Sequence, residues 1–338
     1  KNPFLCLWVL DTTLSSVEKQ VYNYQCCDSQ KQHCTVDKVK IVTKEIVRQI
    51  SDCDANGGNC QTVGCTTAPI PSQRQCNNVL VAYQNYALQT GTSLPITDGT
   101  WDFALASNGD LFAFMKSGSP TNTTELYVLS AETKYQAVVL RTATGLLPSG
   151  NNFEFAVSQN RDVYVFKKSK TATKSTEVHI LTAASNYKQF SLRTATALHE
   201  TNATFQILLA QNNDVYAIKK EHTGTSTTEV HILSADSNYK QFSVQTGTIL
   251  HETDNTWQFA LDSKNNVVGF KQKKCGSCRT EVHTLDAATN YKKFSVQTGT
   301  KIGESDRRYK FLYLNDSIYA VKKWGTGTLS TEVNILPK

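Results

Sequence analysis

Five histidines recur at two fixed positions along the chain, where they could bind a metal ion or a polar ligand. Three follow the triplet Thr-Glu-Val and two belong to the motif Leu-His-Glu-Thr; they are His179, His231 and His283, and His199 and His251. Within each set the spacing is 52 residues, whereas zinc ligands usually come in closely spaced pairs. Tyr127 and Asn334 occupy the first position in the outer copies. We therefore predict no metal ion and no cofactor.

Two tryptophans favour a carbohydrate site as the functional interpretation. Trp101 and Trp257 open the same segment in two of the repeated units, and an aromatic face beside polar groups suits a sugar ring. The simpler interpretation is structural, with the histidines forming hydrogen bonds between units and the tryptophans packed in the core. We keep both interpretations and treat these tryptophans and the histidines as the candidate ligand-binding set.

The cysteines predict disulfides and an oxidising compartment. Eight of the ten lie in the first 76 residues: Cys6, Cys26, Cys27, Cys34, Cys53, Cys60, Cys65 and Cys76. Such density is typical of small secreted modules, although the sequence leaves all pairings open. Cys275 and Cys278 form a CGSC segment in a predicted loop, where we expect a local disulfide rather than pairing to another segment. A redox role would need a helix N-terminus that lowers a thiol pKa.

Three further features agree with secretion. N-glycosylation triplets begin at Asn122, Asn202 and Asn315, all in predicted loops. The chain begins with Lys1 and its single methionine is Met115, so we expect that a leader has been removed. The longest apolar run, residues 4–10, is far too short to cross a bilayer. We predict an extracellular protein without a membrane span.

Neither the charge nor the motifs indicate nucleic-acid binding or catalysis. The net charge of +6 is spread along the chain without a run of five like charges, whereas nucleic-acid binding usually needs a clustered basic patch. The patterns G-x-S-x-G, H-E-x-x-H and a phosphate-binding glycine loop do not occur. We therefore predict that the chain is not an enzyme. A hydrolase with an active site at the axis of the fold remains a third alternative.

A repeat of about 52 residues positions all of these groups. Thr-Glu pairs begin at residues 124, 176, 228, 280 and 331. A period of this size indicates one supersecondary unit that buries its apolar face against the next copy. In the first unit we predict four strands, at 100–106, 110–116, 124–131 and 135–144, with an Asn-Gly hairpin turn at 108–109. Four antiparallel strands per unit are typical of a β-propeller blade.

The two ends of the repeat predict how the ring closes. The fourth-strand text NYALQTGT occurs once, at residues 85–92, before any first strand, and the last unit stops after its third strand, TEVNIL. An N-terminal strand that completes the last blade would leave no blade with an open edge. We predict an all-β fold, a five-bladed propeller over residues 79–338.

Residues 1–78 lie outside the repeat, and we predict a small disulfide-rich module there. Ser15 and Glu18 form a capping box before a helix at 16–25, and valines at helical spacing predict a second helix at 36–51. The apolar segment before them predicts a strand that contacts a neighbouring subunit through Phe4, Leu5, Leu7, Trp8, Val9 and Leu10.

The units resemble FG-GAP/VCBS-type repeats in the segments TEVHIL, SNYKQFS, QTGT, LHETDNTW and DVYAIKK, over roughly residues 82–338. The resemblance implies an integrin-α-like propeller that binds or displays rather than catalyses. It also implies a calcium loop between the first two strands. Here that loop is shortened to SNGD, QNRD, QNND and SKNN, which leaves too few carboxylates for calcium. We therefore do not expect calcium.

These observations predict a secreted, non-catalytic propeller for extracellular binding or for surface or matrix display, with carbohydrate as the expected ligand class. Its partners would be glycans or other components of the extracellular matrix or cell surface, and not nucleic acid. The alternative is a structural subunit of an extracellular filament, a homopolymer assembled by addition of the strand at residues 4–10.

Overall fold

The computed structural model describes the strands at residues 5–11, 20–27 and 34–42, and residues 82–338. The chain divides into two compact units, residues 1–73 and 74–338. In the first unit, strands β1 (Leu5–Asp11), β2 (Gln20–Cys27) and β3 (Cys34–Val42) form an antiparallel sheet in that order. The two predicted helices are therefore wrong within the described residues, which are strands.

A β-bulge explains why the valine spacing in β3 resembled that of a helix. Val36 pairs with Gln25 and Lys38 with Tyr24, so the ladder passes over Asp37. Two residues of a bulged strand oppose one residue of its partner. Val36 and Val39 therefore lie opposite Gln25 and Asn23, which are two residues apart in β2, although the valines themselves are three positions apart in β3. Valine and isoleucine prefer strands, and pairing with β2 outweighs the helical spacing.

The second unit is a five-bladed β-propeller, as predicted, made of five four-stranded antiparallel sheets. Blade 1 contains β5 (Trp101–Leu105), β6 (Leu111–Met115), β7 (Glu125–Leu129) and β8 (Val138–Ala143). Blade 2 contains β9 (Phe153–Val157), β10 (Val163–Lys167), β11 (Ser175–Leu181) and β12 (Phe190–His199). Blade 3 contains β13 (Phe205–Leu209), β14 (Val215–Lys219), β15 (Thr227–Leu233) and β16 (Phe242–His251).

Blade 4 contains β17 (Trp257–Leu261), β18 (Val267–Lys271), β19 (Arg279–Leu285) and β20 (Phe294–Gly303). Blade 5 contains β21 (Tyr309–Leu314), β22 (Ser317–Lys322), β23 (Ser330–Pro337) and, from the N-terminal side of the ring, β4 (Leu88–Pro95). Within residues 82–338, four 3₁₀ helices lie in the connections: Gly150–Asn152, Ala183–Ser185, Ala235–Ser237 and Ala287–Thr289. The first strands of neighbouring blades contact each other around the axis.

The core consists of five apolar clusters, each shared by two neighbouring blades. Between blades 1 and 2, for example, the rings of Phe114 and Phe155 stack with centroids 4.3 Å apart. The second strands are buried on both faces, which is why their sequences are nearly continuous apolar runs such as LFAF. Each blade therefore depends on its neighbours for most of its burial, and the ring must close to be stable.

The ring closes as the sequence predicted, because β4 pairs antiparallel with β23. Thr90 lies opposite Val333, and Pro95 lies opposite Ser330. The same backbone hydrogen bond then crosses all five interfaces between blades, from an N–H of one fourth strand to a tyrosine carbonyl of the next blade. The five pairs are Ser93 to Tyr135, Gly145 to Tyr187, Ala197 to Tyr239, Ile249 to Tyr291 and Lys301 to Tyr83, at 2.9–3.1 Å.

Candidate functional site

The third-strand histidines bind the glutamates that precede them by two residues. In His179, His231 and His283, Nε2 lies 3.0, 3.1 and 3.2 Å from the carboxylates of Glu177, Glu229 and Glu281, respectively. Their rings pack edge-on against phenylalanines of the fourth strand, as His179 does against Phe190. The hydrogen bonds thus lie within a strand rather than between blades.

Of the remaining predicted ligand-binding residues, Trp257 lies beside one of these histidines, but the set as a whole does not meet in one pocket. His199 and His251 are exposed at the ends of β12 and β16. Trp257 is buried with its ring 5.2 Å from that of His283, and Trp101 is half-buried with its ring 5.2 Å from that of Tyr127. Burial lowers the pKa of His179, and the hydrogen bond and charge of Glu177 oppose this shift only in part. The structure therefore scatters the predicted set over several blades.

The local disulfide predicted for the CGSC segment is not formed. Cys275 has a free thiol that is fully buried, whereas Cys278 is disulfide-bonded, so its partner is a different cysteine. This outcome corresponds to the alternative of pairing to another segment. The sequence could not decide between the two, because CGSC is short enough to close on itself. The cysteines of the N-terminal unit lie in β1, β2 and β3 or outside the described residues.

The three glycosylation triplets are in exposed connections of the propeller. Asn122 is in the loop between β6 and β7, Asn202 in the connection from β12 to β13, and Asn315 in the turn between β21 and β22; all three are exposed. Asn202 also accepts a hydrogen bond from the N–H of Thr204. In the first unit, the strand predicted to contact another subunit is β1, which pairs with β2. Phe4 lies outside the described residues.

The connections that enter the first strands and leave the second strands form one face of the propeller, which we call the lysine face. It takes its name from the residue after each second strand, namely Lys116, Lys168, Lys220, Gln272 and Lys323. In every blade the N–H of this residue donates to the carbonyl of the residue before the first strand. Its carbonyl accepts from a backbone N–H in the connection that follows the fourth strand of the same blade. These bonds fix the five side chains in equivalent positions.

The second residue of each first strand lines the axis; the five are Asp102, Glu154, Gln206, Gln258 and Lys310. Neighbouring first strands are not paired as a sheet, so these side chains hydrogen-bond across the gaps. Gln258 donates to the carbonyl of Tyr309 at 2.8 Å and accepts from the N–H of Phe311 at 3.0 Å. Gln206 makes two such bonds to Phe259, at 2.7 and 2.8 Å.

Between blades 2 and 3 an ion pair replaces the glutamine. Glu154 accepts from the N–H of Ile207 at 2.6 Å, and Lys168 donates to the carbonyl of Phe205 at 3.0 Å. Lys168 Nζ is also 2.7 Å from Glu154 Oε1. A second ion pair joins blades 5 and 1, with Lys310 Nζ 2.8 Å from Asp102 Oδ1. The axis thus holds two carboxylates and several lysines.

Burial and charge act against each other in this cluster. Burial raises the pKa of Asp102, but the charges of Lys310 and Lys116 and two hydrogen bonds outweigh it, so the net pKa is lowered. The pKa of Lys310 is raised because Asp102 and Glu154 outweigh its burial. Burial lowers the pKa of Lys116 and Lys220, and that of Lys323 to about 8. Neighbouring carboxylates oppose the lowering of these three lysine pKa values only in part.

A cavity of about 350 Å³ opens on the lysine face between blades 4 and 5. Blade 4 contributes Asn255, Thr256, Gln272 and Lys273, and blade 5 contributes Asp306, Arg307, Arg308 and Trp324. Asp306 fixes Arg308, because its carboxylate accepts from both the backbone N–H and Nε at 2.9 Å. Lys323 Nζ lies 5.0 Å from the centre of the Trp324 ring. The cavity thus combines an aromatic ring with three cationic side chains.

Three of the cavity residues, Trp324, Arg307 and Arg308, are positions at which blade 5 departs from the other copies. Trp324 replaces the serine, glutamate or lysine found at the equivalent positions 117, 169, 221 and 273. Arg307 and Arg308 replace Gly-Thr, Asn-Asn, Ala-Thr and Asn-Thr. These three residues do not recur along the chain, so the repeat pattern of the sequence did not single them out. A comparison of the five copies for departures would have found them, although only the structure shows that they meet.

No family model matches this chain, and no curated protein matches it. The solved structures similar to it include a gluconolactonase from Xanthomonas campestris, at 10% identity and TM-score 0.36, covering 70% of this chain and 71% of that one. They also include an α-L-arabinofuranosidase from Podospora anserina, at 8% identity and TM-score 0.41, covering 77% and 98%. A fungal alcohol oxidase in complex with copper matches at 7% identity and TM-score 0.37, covering 75% and 76%.

The prediction that this chain is not an enzyme is corrected by these comparisons. The similar propellers are enzymes, so neither the repeats nor the missing sequence motifs exclude catalysis. At such low identity the likeness concerns the fold alone, and no substrate or active-site residue is transferred. Among residues 82–338 and the three N-terminal strands, no group of three or more His, Cys, Asp or Glu residues could hold a metal ion. In the same residues no helix is long and apolar enough to span a bilayer.

Proposed function

We propose that this chain is an extracellular binding protein whose propeller takes an acidic carbohydrate at the lysine face, in the cavity between blades 4 and 5. The observation that carries the proposal is the convergence of blade-specific residues. Trp324, Arg307 and Arg308 are the departures from the repeat named above, and all three line one cavity.

The lining favours a sugar that carries carboxylate or sulfate groups. The half-exposed ring of Trp324 offers an apolar face for a pyranose, as aromatic side chains at polar sites do. Arg307 and Lys273 are exposed and have no ion-pair partner within 4.0 Å among the described residues. Arginine binds planar oxyanions through two parallel hydrogen bonds. The volume of about 350 Å³ falls in the range of small-molecule sites.

Secretion is part of the same proposal and is supported by two features. Cys278 is disulfide-bonded, and disulfides persist mainly in oxidising compartments. The three glycosylation triplets are exposed. The resemblance to FG-GAP/VCBS-type repeats and the partners in the extracellular matrix or cell surface belong to this proposal as well. After expression in a secretory eukaryotic host, we expect glycosidase treatment to lower the mass of the protein at one or more of these triplets.

The binding test uses calorimetric titration with three probes: a heparin tetrasaccharide, tetragalacturonate and neutral cellotetraose. We expect binding of at least one acidic probe and none of cellotetraose. Trp324→Ala should weaken binding at least tenfold, the loss expected for removing a stacked aromatic anchor. Arg307→Gln should do the same for the acidic probe. Arg193→Gln is the matched control, because Arg193 is an exposed arginine in blade 2, outside the cavity. Equal weakening by the control, or binding of no probe, would refute the proposal.

Assembly by strand addition is a second candidate function, favoured by the position of β1. This seven-residue strand, LCLWVLD, is an edge strand of its sheet. Apolar edge strands can pair with another chain. Size-exclusion chromatography with light scattering, together with negative-stain microscopy, tests this assembly on the full chain at about 1–100 µM. A filament or ladder of oligomers supports the candidate, and monomers throughout remove it.

A further inference from the structure

We propose that Asp306 is a positioning residue, which holds Arg308 so that the free end of its guanidinium binds one oxyanion of the ligand, a carboxylate or sulfate group on the sugar. Asp306 occupies the Nε side of this guanidinium, so a ligand in the cavity meets the two Nη atoms. Because it concerns the same cavity, this role of Asp306 rests on the proposed function. It adds which arginine recognises the acidic group and how that arginine is held.

The carboxylate of Asp306 binds Arg308 at two points. Its Oδ1 atom accepts from the backbone N–H and from Nε of Arg308, both at 2.9 Å. Burial raises the pKa of Asp306, but the hydrogen bonds and the charge of Arg308 outweigh it, so the net pKa is lowered and the carboxylate is ionised at neutral pH. Since this contact takes the Nε–H, the hydrogens on the two Nη atoms are the donors that it leaves to Arg308 for a ligand.

The same turn occurs in blades 1 and 4, where the aspartate holds a shorter side chain. Asp98 accepts from the N–H of Thr100 at 2.7 Å and from its hydroxyl at 2.5 Å. Asp254 accepts from the N–H of Thr256 at 2.8 Å and from its hydroxyl at 2.5 Å. Arg308 takes the position of these threonines in blade 5. The repeat therefore supplies a carboxylate at a fixed place, and in blade 5 that carboxylate holds a guanidinium that lines the cavity.

The backbone that carries this ion pair is attached to both blades. On the blade 4 side, the N–H of Ser305 donates to the carbonyl of Gln272 at 2.9 Å. The amide of Gln272 in turn donates to the carbonyl of Asp306 at 2.9 Å. On the blade 5 side, the carbonyl of Arg308 accepts from the N–H of Lys323 at 2.7 Å. A guanidinium held in this way before binding loses less rotamer freedom when a ligand arrives.

Arg308 packs against Gly325, the residue that follows Trp324 in the chain. A Cβ atom built at this glycine would lie 3.5 Å from Cδ and 3.4 Å from Nη1 of Arg308. Arg308 still exposes 41% of its side chain, so a ligand can reach it. The cationic end of Arg308 and the aromatic ring of Trp324 thus belong to neighbouring parts of one cavity, which suits a sugar ring that carries an acidic group.

Arg308 contributes the direction of its hydrogen bonds rather than net charge. Asp306 neutralises its charge, so the net positive charge of the cavity comes from Arg307 and Lys273. Two parallel N–H donors match two oxygens of a carboxylate or a sulfate, whereas the ammonium group of a lysine acts as a point charge. Replacement of Arg308 by lysine therefore separates geometry from charge.

The test is calorimetric titration of the full chain with tetragalacturonate, which carries only carboxylates, and a carrageenan tetrasaccharide, which carries only sulfates. The probe that binds identifies the acidic group. Arg308→Thr restores the residue of blades 1, 3 and 4 and should weaken binding about tenfold or more, the loss expected for hydrogen bonds to a charged group. Arg308→Lys should still weaken it about threefold or more. Full binding by either variant would overturn the proposal.

Asp306→Asn tests the positioning role without removing the turn. In blade 3 the side-chain oxygen of Asn202 accepts from the N–H of Thr204 at 2.7 Å, so an asparagine supports the same turn. We expect binding to weaken about three- to tenfold, which corresponds to immobilising one long side chain on binding. Asp98→Asn makes the same change in blade 1, outside the cavity, and should leave the affinity unchanged. An equal loss in both variants would overturn the proposal.

The double variant shows whether Asp306 acts through Arg308. Asp306→Asn combined with Arg308→Thr should bind as weakly as Arg308→Thr alone, because the residue that Asp306 positions is already missing. Additive losses would mean that Asp306 supports the fold or contacts the ligand itself, and would overturn its positioning role.

A spectroscopic measurement examines the contact without a ligand. In ¹H–¹⁵N spectra of the full chain, the Nε–H signal of Arg308 is assigned by its loss in Arg308→Thr. We expect this signal to be protected from exchange with water in the unmodified protein and to lose that protection in Asp306→Asn. An unprotected signal would overturn the positioning role. If neither tetrasaccharide binds the unmodified protein, the proposed function fails together with this inference, whereas binding that ignores Arg308 refutes this inference alone.

Discussion

Substitution of Lys310 by methionine tests the ion pair that joins the last blade to the first. The side chains of Lys310 and Asp102 expose 22% and 11% of their surface, and 2.8 Å separates their charged atoms. Removing one partner of a buried pair costs about 3–5 kcal/mol, because the other charge stays buried and unpaired. We expect about 3 kcal/mol for Lys310→Met, the lower end of that range, since Lys310 retains some contact with water. The melting temperature would fall by about 6–12 °C.

The repeat itself provides the matched control. In blades 3 and 4 the same position is Gln206 and Gln258, which bridge to the next strand without charge. The double variant Asp102→Gln and Lys310→Gln should therefore lie within about 1 kcal/mol of the unmodified protein. Urea unfolding followed by tryptophan fluorescence measures both, provided that the slope m is unchanged. A cost below about 1 kcal/mol for the single variant, or an equal cost for the double variant, would refute the reasoning.

The pH dependence of the same pair follows from the two pKa shifts. The folded-state pKa of Asp102 is lowered, so its contribution is present above its unfolded pKa of about 4 and is lost as pH falls through the folded value. The folded-state pKa of Lys310 is raised, so its contribution is present below about pH 10 and is lost as pH rises further. Because Lys310 also lowers the pKa of Lys323, which titrates near pH 8, the stability difference between the protein and Lys310→Met should be constant between about pH 5 and pH 8.

Three further outcomes are expected. Burial lowers the pKa of Lys323 to about 8, so above that pH the folded state binds fewer protons than the unfolded state. In urea titrations, the stability of the protein relative to Lys323→Met should therefore rise from pH 8 to about pH 10. A flat difference would contradict this. Burial raises the pKa of the Cys275 thiol to about 12. Iodoacetamide at about pH 8 should therefore label this thiol only in denaturant, as measured by peptide mass spectrometry. Rapid labelling of the native protein would place the thiol outside the core. Asp214→Ala should lower the free energy of unfolding by about 1–2 kcal/mol in the same urea titrations, because the N–H of Ala235 loses its acceptor at 2.8 Å. An unchanged urea midpoint would mean that water replaces the carboxylate.

The repeat made most of the propeller predictable. Strand order, blade number and ring closure follow from the recurring Thr-Glu pairs and from one extra copy of the fourth-strand text, because only one pairing leaves no open edge. The N-terminal strands were not predictable in the same way. There the bulge at Asp37 gave the valines a helical spacing, and only pairing with β2 decides between the two structures.

The candidate site was less predictable than the fold, for a physical reason. Recurring residues such as His231 turn out to serve local packing, through Glu229 and Phe242. The residues that meet in the cavity differ between copies, and Trp324 and Arg307 are 17 residues apart in the chain. Trp324 and Arg307 meet because β21 and β22 pair with Tyr309 opposite Lys322, whereas the other wall of the cavity comes from blade 4, and the spacing along the chain does not encode that packing.

A crystal structure of the full chain soaked with an acidic tetrasaccharide tests the central claim most directly. We predict that one sugar ring lies on the face of Trp324 and that an acidic group is within hydrogen-bond distance of Arg307 or Arg308, between blades 4 and 5. Sugar bound instead beside Trp101, or at the exposed histidines His199 and His251, would contradict this account.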